Sequence, residues 1–126
     1  MDIETVLVPV DGSPQSAQAV RVAATVAERY GATVHALYVL ERDRAEDAEQ
    51  MMVAASSIVG DVPLCHSSAY GFTTATLSQH PGSTVLDASE DASADFIVVP
   101  RERPSDLLGK AAGYVLQYAQ QPVLSV

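Results

Sequence analysis

The sequence predicts a parallel three-layer α/β domain, on three observations. Short apolar, β-branched runs recur along the chain; segments with helical spacing of apolar residues separate them; and neither an internal repeat nor a linker interrupts the alternation. Such an order of elements buries each strand between helices, so strands should read as almost continuously apolar rather than alternating.

The first run, Val6-Leu7-Val8-Pro9-Val10, is too short and too β-branched for a helix and reads as a strand buried on both faces. Asp11-Gly12 turns the chain, Ser13 suits an N-cap, and Pro14 suits a first helical position, where a missing N–H costs nothing. A helix follows over residues 14–30, with Ala17, Val20, Ala24 and Ala27 at helical spacing and Gly31 just beyond its end. Its alanines let it lie close to a sheet. Residues 33–40 form the second strand, which completes a βαβ unit with a right-handed crossover.

Residues 41–49 carry five acids, which fit the solvated start of a second helix over residues 45–59, ended by Gly60. Met51 and Met52 read as core filler. Residues 61–72 are the least legible stretch, in which residues 62–65 fit either a short strand or a packed loop. The third strand is placed at residues 73–78, where β-branched residues alternate weakly. A short helix over 84–92 follows the turn at residues 80–83, then a fourth strand over 96–99, a last helix over 107–119 and a terminal strand over 122–126. Pro122 favours an edge position for that strand.

Size and charge narrow the function. The 126 residues make one domain, residues 1–126, and a 48% hydrophobic content supports a packed core. Mean hydropathy is +0.12, no apolar run approaches the ~20 residues that span a bilayer, and Met1-Asp2-Ile3-Glu4 lacks the positive flank of a signal peptide. A soluble, cytoplasmic protein without direct membrane insertion is expected. Seven basic residues against sixteen acidic ones give a net charge of −9, which disfavours nucleic acids and anionic lipids, because both are bound by neutralising phosphates. Lys110 is the lone lysine. This acidic, lysine-poor, alanine- and valine-rich composition is similar to that of proteins from halophilic archaea and other salt-loving microbes. Cys65 is the single cysteine, so no internal disulfide forms.

Candidate chemistry concentrates after the first and fourth strands. Ligands of open parallel sheets bind beyond the carboxyl ends of strands, so Asp11 stands where a ligand would be met; capping the helix or closing the turn is the alternative role. Arg101, Arg103 and Lys110 gather three of the seven basic residues within ten positions. They can hold a small anion, or pair with Glu102 and Asp106 in a solvated loop. His35 reads as a hydrogen-bonded core histidine, and His66 and His80 as turn residues. No histidine pair has metal-ligand spacing, and no serine occupies a nucleophile elbow. A non-enzymatic protein without a metal site is expected.

Four stretches together resemble the universal stress protein family. They are Val6-Leu7-Val8-Pro9-Val10-Asp11-Gly12-Ser13, Gly31-Ala32-Thr33-Val34-His35-Ala36-Leu37-Tyr38-Val39, Ala94-Asp95-Phe96-Ile97-Val98-Val99, and the end from Leu107-Leu108-Gly109 to Gln121-Pro122-Val123-Leu124-Ser125-Val126. The resemblance implies a Rossmann-like fold of the adenine-nucleotide alpha-hydrolase type, with a five-stranded parallel sheet between two helical layers. It also implies a homodimer joined through residues 122–126. The candidate ligand site joins Asp11, Gly12, Ser13 and Val39 with Gly109 and the basic residues Arg101, Arg103 and Lys110.

Nucleotide-binding members of the family carry Gly-x-x-Gly, nine further residues, then Gly followed by Ser or Thr. Here Gly109 matches the third glycine. Pro100 stands where the first is expected, Arg103 where the second is, and Lys110 replaces the Ser or Thr. The interval from Pro100 to Gly109 is four residues shorter than the family's. Prolines remove backbone donors and side chains bar close approach of a phosphate, so the ordinary ATP cradle is expected to be absent, and no cofactor is expected. The leading expectation is a dimeric binding or interaction module. Its alternatives are a nucleotide-binding protein with an arginine-assisted phosphate site, and a regulatory domain tied to a transporter.

Overall fold

The computed structural model describes residues 2–40, 46–69, 80–101, 108 and 110–126. Their elements follow the order β1 (Thr5–Val10), α1 (Pro14–Tyr30), β2 (Thr33–Val39), α2 (Asp47–Val59), β3 (Leu64–Ala69), α3 (Pro81–Asp91), β4 (Phe96–Val99), α4 (Ala111–Tyr118) and β5 (Val123–Ser125). The strands form one sheet of order β3-β2-β1-β4-β5, and every pairing is parallel.

Alternate residues of β1 face different layers, because side chains of a strand alternate between faces. Val6, Val8 and Val10 pack with Val34, Ala36 and Tyr38 of β2 under α1 and α2. Leu7 packs with Leu37, Val39, Ile97 and Val99 under α3 and α4. With helices on both faces, β1 is buried except at its first residue, which explains its unbroken apolar reading.

The start of α1 forms as its residues dictate. Ser13 has an extended backbone, its Oγ accepts the Ser16 N–H, and Pro14 opens the helix. Gly31 closes it at a φ of +66°, a left-handed conformation that favours glycine, and its N–H returns to the carbonyls of Ala27 and Glu28. The buried stripe is Ser16, Ala19, Val20, Ala23, Ala24 and Ala27, whereas Ala17 stays half-buried.

The third strand departs from expectation. It is Leu64–Ala69, which pairs with β2 from Val34↔Leu64 to Val39↔Ala69, and residues 73–78 lie outside the described residues. The strand escaped detection because it sits at the sheet edge, with only Leu64, Ser67 and Ala69 half-buried and the rest exposed. Consequently His66 is a strand residue, not a turn residue; its Nδ1 lies 2.6 Å from the Tyr38 hydroxyl.

The third helix begins three residues earlier than expected. His80 is its N-cap, with Nδ1 accepting the Gly82 N–H at 3.0 Å, and Pro81 is its first residue. At the other end of the sheet, Asp95 fastens β4 to the start of β1. Its Oδ2 accepts the N–H groups of Glu4 at 2.9 Å and Thr5 at 3.2 Å, while its own N–H donates to the Thr5 carbonyl. Among the described residues, no helix is long and apolar enough to cross a membrane.

Candidate functional site

Strand order reverses its direction of growth at β1, which pairs with β2 on one side and β4 on the other. The chain leaves β1 into a helix on one face and leaves β4 towards a helix on the opposite face. The region beyond the carboxyl ends of β1 and β4 is therefore the topological switch point, where open α/β sheets form a ligand-binding crevice.

Asp11 bridges that crevice. Its Oδ1 accepts the Ser13 N–H at 3.0 Å, and its Oδ2 accepts the Leu108 N–H, ninety-seven residues away, at 3.3 Å. The carboxylate thus closes the turn after β1 and also holds the segment that leads into α4. The turn-closing role read from the sequence is the one these bonds express. Gly12 has a φ of +84°, and a β-carbon on it would lie 3.1 Å from Cε of Met51 on α2. Met51 is half-buried against the α1 and α2 layer, so it packs the core and also flanks the Asp11 turn.

The other candidates are distributed around this centre. Val39 ends β2 and is buried in the α3 and α4 layer. Arg101 is exposed, and its backbone N–H donates to the Val126 carbonyl at 2.6 Å. Lys110 is exposed at the N-cap position of α4, where no side chain caps the helix. Arg103 and Gly109 lie outside the described residues. Asp11, Gly12 and Ser13 are therefore brought together with Leu108, a residue that sequence reasoning missed. Its signal was slight: one apolar side chain directly before the glycine that aligns with the family motif.

The histidines lie elsewhere. His35 is half-buried and its Nε2 is 2.8 Å from Ser67 Oγ, and burial first, then repulsion from His66, holds its pKa below 6.5. Among the described residues, no three His, Cys, Asp or Glu side chains come together as a metal cluster.

A model of the universal stress protein family matches residues 2–126. The chain belongs to that family. Solved universal stress proteins share its fold throughout. One solved in complex with cAMP is 22% identical, covers 100% of this chain and 98% of its own, and superposes with a TM-score of 0.79. The protein UspA from Lactobacillus plantarum gives the same identity and TM-score, with 100% and 99% covered. A universal stress protein from Archaeoglobus fulgidus in complex with dAMP is 22% identical, with 99% and 98% covered and a TM-score of 0.68. No curated protein sequence matches the chain. Within that fold, the Asp11 bridge ties the turn after β1 to Leu108 ahead of α4.

Proposed function

We propose that this universal stress protein domain is a cytoplasmic, dimeric binding module that holds a small ligand beyond β1 and β4 without chemically transforming it. The Asp11 bridge carries the reading. Each carboxylate oxygen has lone-pair capacity beyond the one backbone bond it accepts among the described residues, so the group can accept from a ligand hydroxyl or amine while still holding both loops.

Tight ATP binding does not fit the residues after β4. Pro100 and Pro104 lack backbone donors, and Pro100 and Arg103 occupy the positions of two glycines that let backbone N–H groups approach phosphates. Calorimetric titration with Mg-ATP at near-native salt is expected to show no strong site. A micromolar or tighter dissociation constant overturns this part of the reading.

A second reading is favoured by the relatives solved with cAMP and dAMP, ligands with one phosphate each. Here the Asp11 crevice takes an adenine mononucleotide, and Arg101, Arg103 and Lys110 supply the positive charge. Binding of dAMP is then expected to weaken with salt, because exposed charges are screened within ~8 Å at physiological ionic strength. It should vanish when all three basic residues are changed to alanine. Retention of binding in that variant places the phosphate elsewhere.

Dimerisation through residues 122–126 is supported by an uncovered edge. Among the described residues β5 pairs only with β4, and Leu124 and the neighbouring helix residue Leu116 are 40% and 53% exposed. The same strand from a second copy can satisfy the edge and form a two-fold, isologous contact.

A further inference from the structure

A hollow of about 300 Å³ lies between the β2–β3 end of the sheet and α3, and among the described residues its walls share none with the Asp11 bridge. It exists because α3 turns small side chains, Ala88 and Ala92, towards this part of the sheet. Leu37 gives an apolar floor. His35 and Ser67, joined through Nε2 and Oγ, supply a polar wall. Asp87 and Asp91, one helical turn apart and both exposed, form the rim. Thr84 also lines the hollow, and its Oγ1 is buried without a hydrogen-bond partner. Buried polar atoms are nearly always paired. An orphan hydroxyl beside a hollow of ligand size points to a partner from outside the chain.

We propose that this hollow is a second binding site, for a small organic cation bearing a primary ammonium group. The ammonium sits between Asp87 and Asp91, the carbon skeleton lies over Leu37 and Ala88, and the far polar end reaches the hydroxyls of Ser67 and Thr84. Charge selects the class. Among the described residues the lining holds two carboxylates and no lysine or arginine, in a protein of net charge −9, and burial favours the neutral form of the His35 imidazole. A divalent metal is a poorer occupant, since these groups do not converge as a cluster of three ligands.

The test is an amide NMR titration at low ionic strength with putrescine as the probe. Shifts are expected at Ser67, Ser68, Thr84 and Ala88, with saturation at a dissociation constant of about 1 mM or tighter. The double variant D87N/D91N should weaken binding at least about tenfold. These carboxylates are exposed, and Asp91 ends α3, where a negative charge is unfavourable, so the variant keeps its fold. D11N, which alters the other crevice, should leave the titration unchanged. Absence of localised shifts, shifts that survive in D87N/D91N, or equal shifts from magnesium chloride at matched ionic strength each overturn the proposal.

Discussion

A β-carbon built on Gly82 would lie 2.5 Å from Cβ of Tyr114, so α3 and α4 meet where only a hydrogen fits between backbone and side chain. Tyr114 cannot easily retreat. Its ring stacks on His80 at 4.5 Å and lies 4.7 Å from Tyr118.

Gly82→Ala therefore pits two effects against each other. Alanine favours a helix over glycine by up to ~1 kcal/mol, whereas overpacking a close contact costs ~1–3 kcal/mol. A net loss of about 1 kcal/mol is expected from the urea midpoint. Adding Tyr114→Gly, which removes that Cβ, relieves the overlap, so the two changes should be non-additive. A stabilised single variant would show that the helices separate freely.

Asp11→Ala removes the acceptor for two backbone N–H groups, those of Ser13 and Leu108. A loss of about 1–2 kcal/mol is expected in chemical denaturation, with a smaller loss for Asp11→Asn, which keeps one acceptor oxygen. Hydrogen exchange at the Leu108 amide should accelerate in both variants. If exchange there stays unchanged, the bridge does not hold the segment before α4.

Two side chains on β2 set opposite pH limits. His35 has its pKa lowered from 6.5 by burial and by His66, so the folded state resists protonation more than the unfolded chain does. Its stabilising contribution is complete above pH 6.5 and is lost as pH falls through the lowered value. The Tyr38 hydroxyl is pushed up from 10.0 to about 12 by burial, so its contribution is complete below pH 10 and is lost as pH rises towards 12. Thermal unfolding across pH should show both declines. His35→Gln should blunt the acid limb, and Tyr38→Phe the alkaline one, each leaving the other limb in place.

Val123→Asp places a charge on β5, and Leu116→Asp places one on the adjacent exposed face of α4. Sedimentation should show either variant shifting towards monomer, because burying an unpaired charge at a self-complementary contact is unfavourable. A dimer unaltered by both changes assigns the interface to another surface.

The buried half of the fold was legible because burial writes itself into composition. β1, β2 and β4 are apolar on both faces, and α1 announces its ends with Ser13-Pro14 and Gly31. β3 was not legible, since Cys65, His66 and Ser68 face solvent at an edge and carry no alternation. The start of α3 was masked for another reason: His80 caps through a ring nitrogen, outside the usual Ser, Thr, Asp and Asn set. At the candidate site, the turn that Asp11 closes was readable from its place after a strand. Its bond to Leu108 was not, because no local pattern reports a partner ninety-seven residues away.

The central position of β1 has a consequence for the order in which the chain becomes a protein. Its contact with β2 joins residues close in sequence, but its other edge waits for Asp95 and β4, some ninety residues further on. At a synthesis rate of about 5–20 residues per second, that edge is exposed for several seconds on the ribosome. Nascent βαβ units of this kind present open backbone groups to one another before their own later strand arrives. Pro9, which lacks an N–H in the middle of β1, lowers the capacity of that edge to template a foreign strand during the wait.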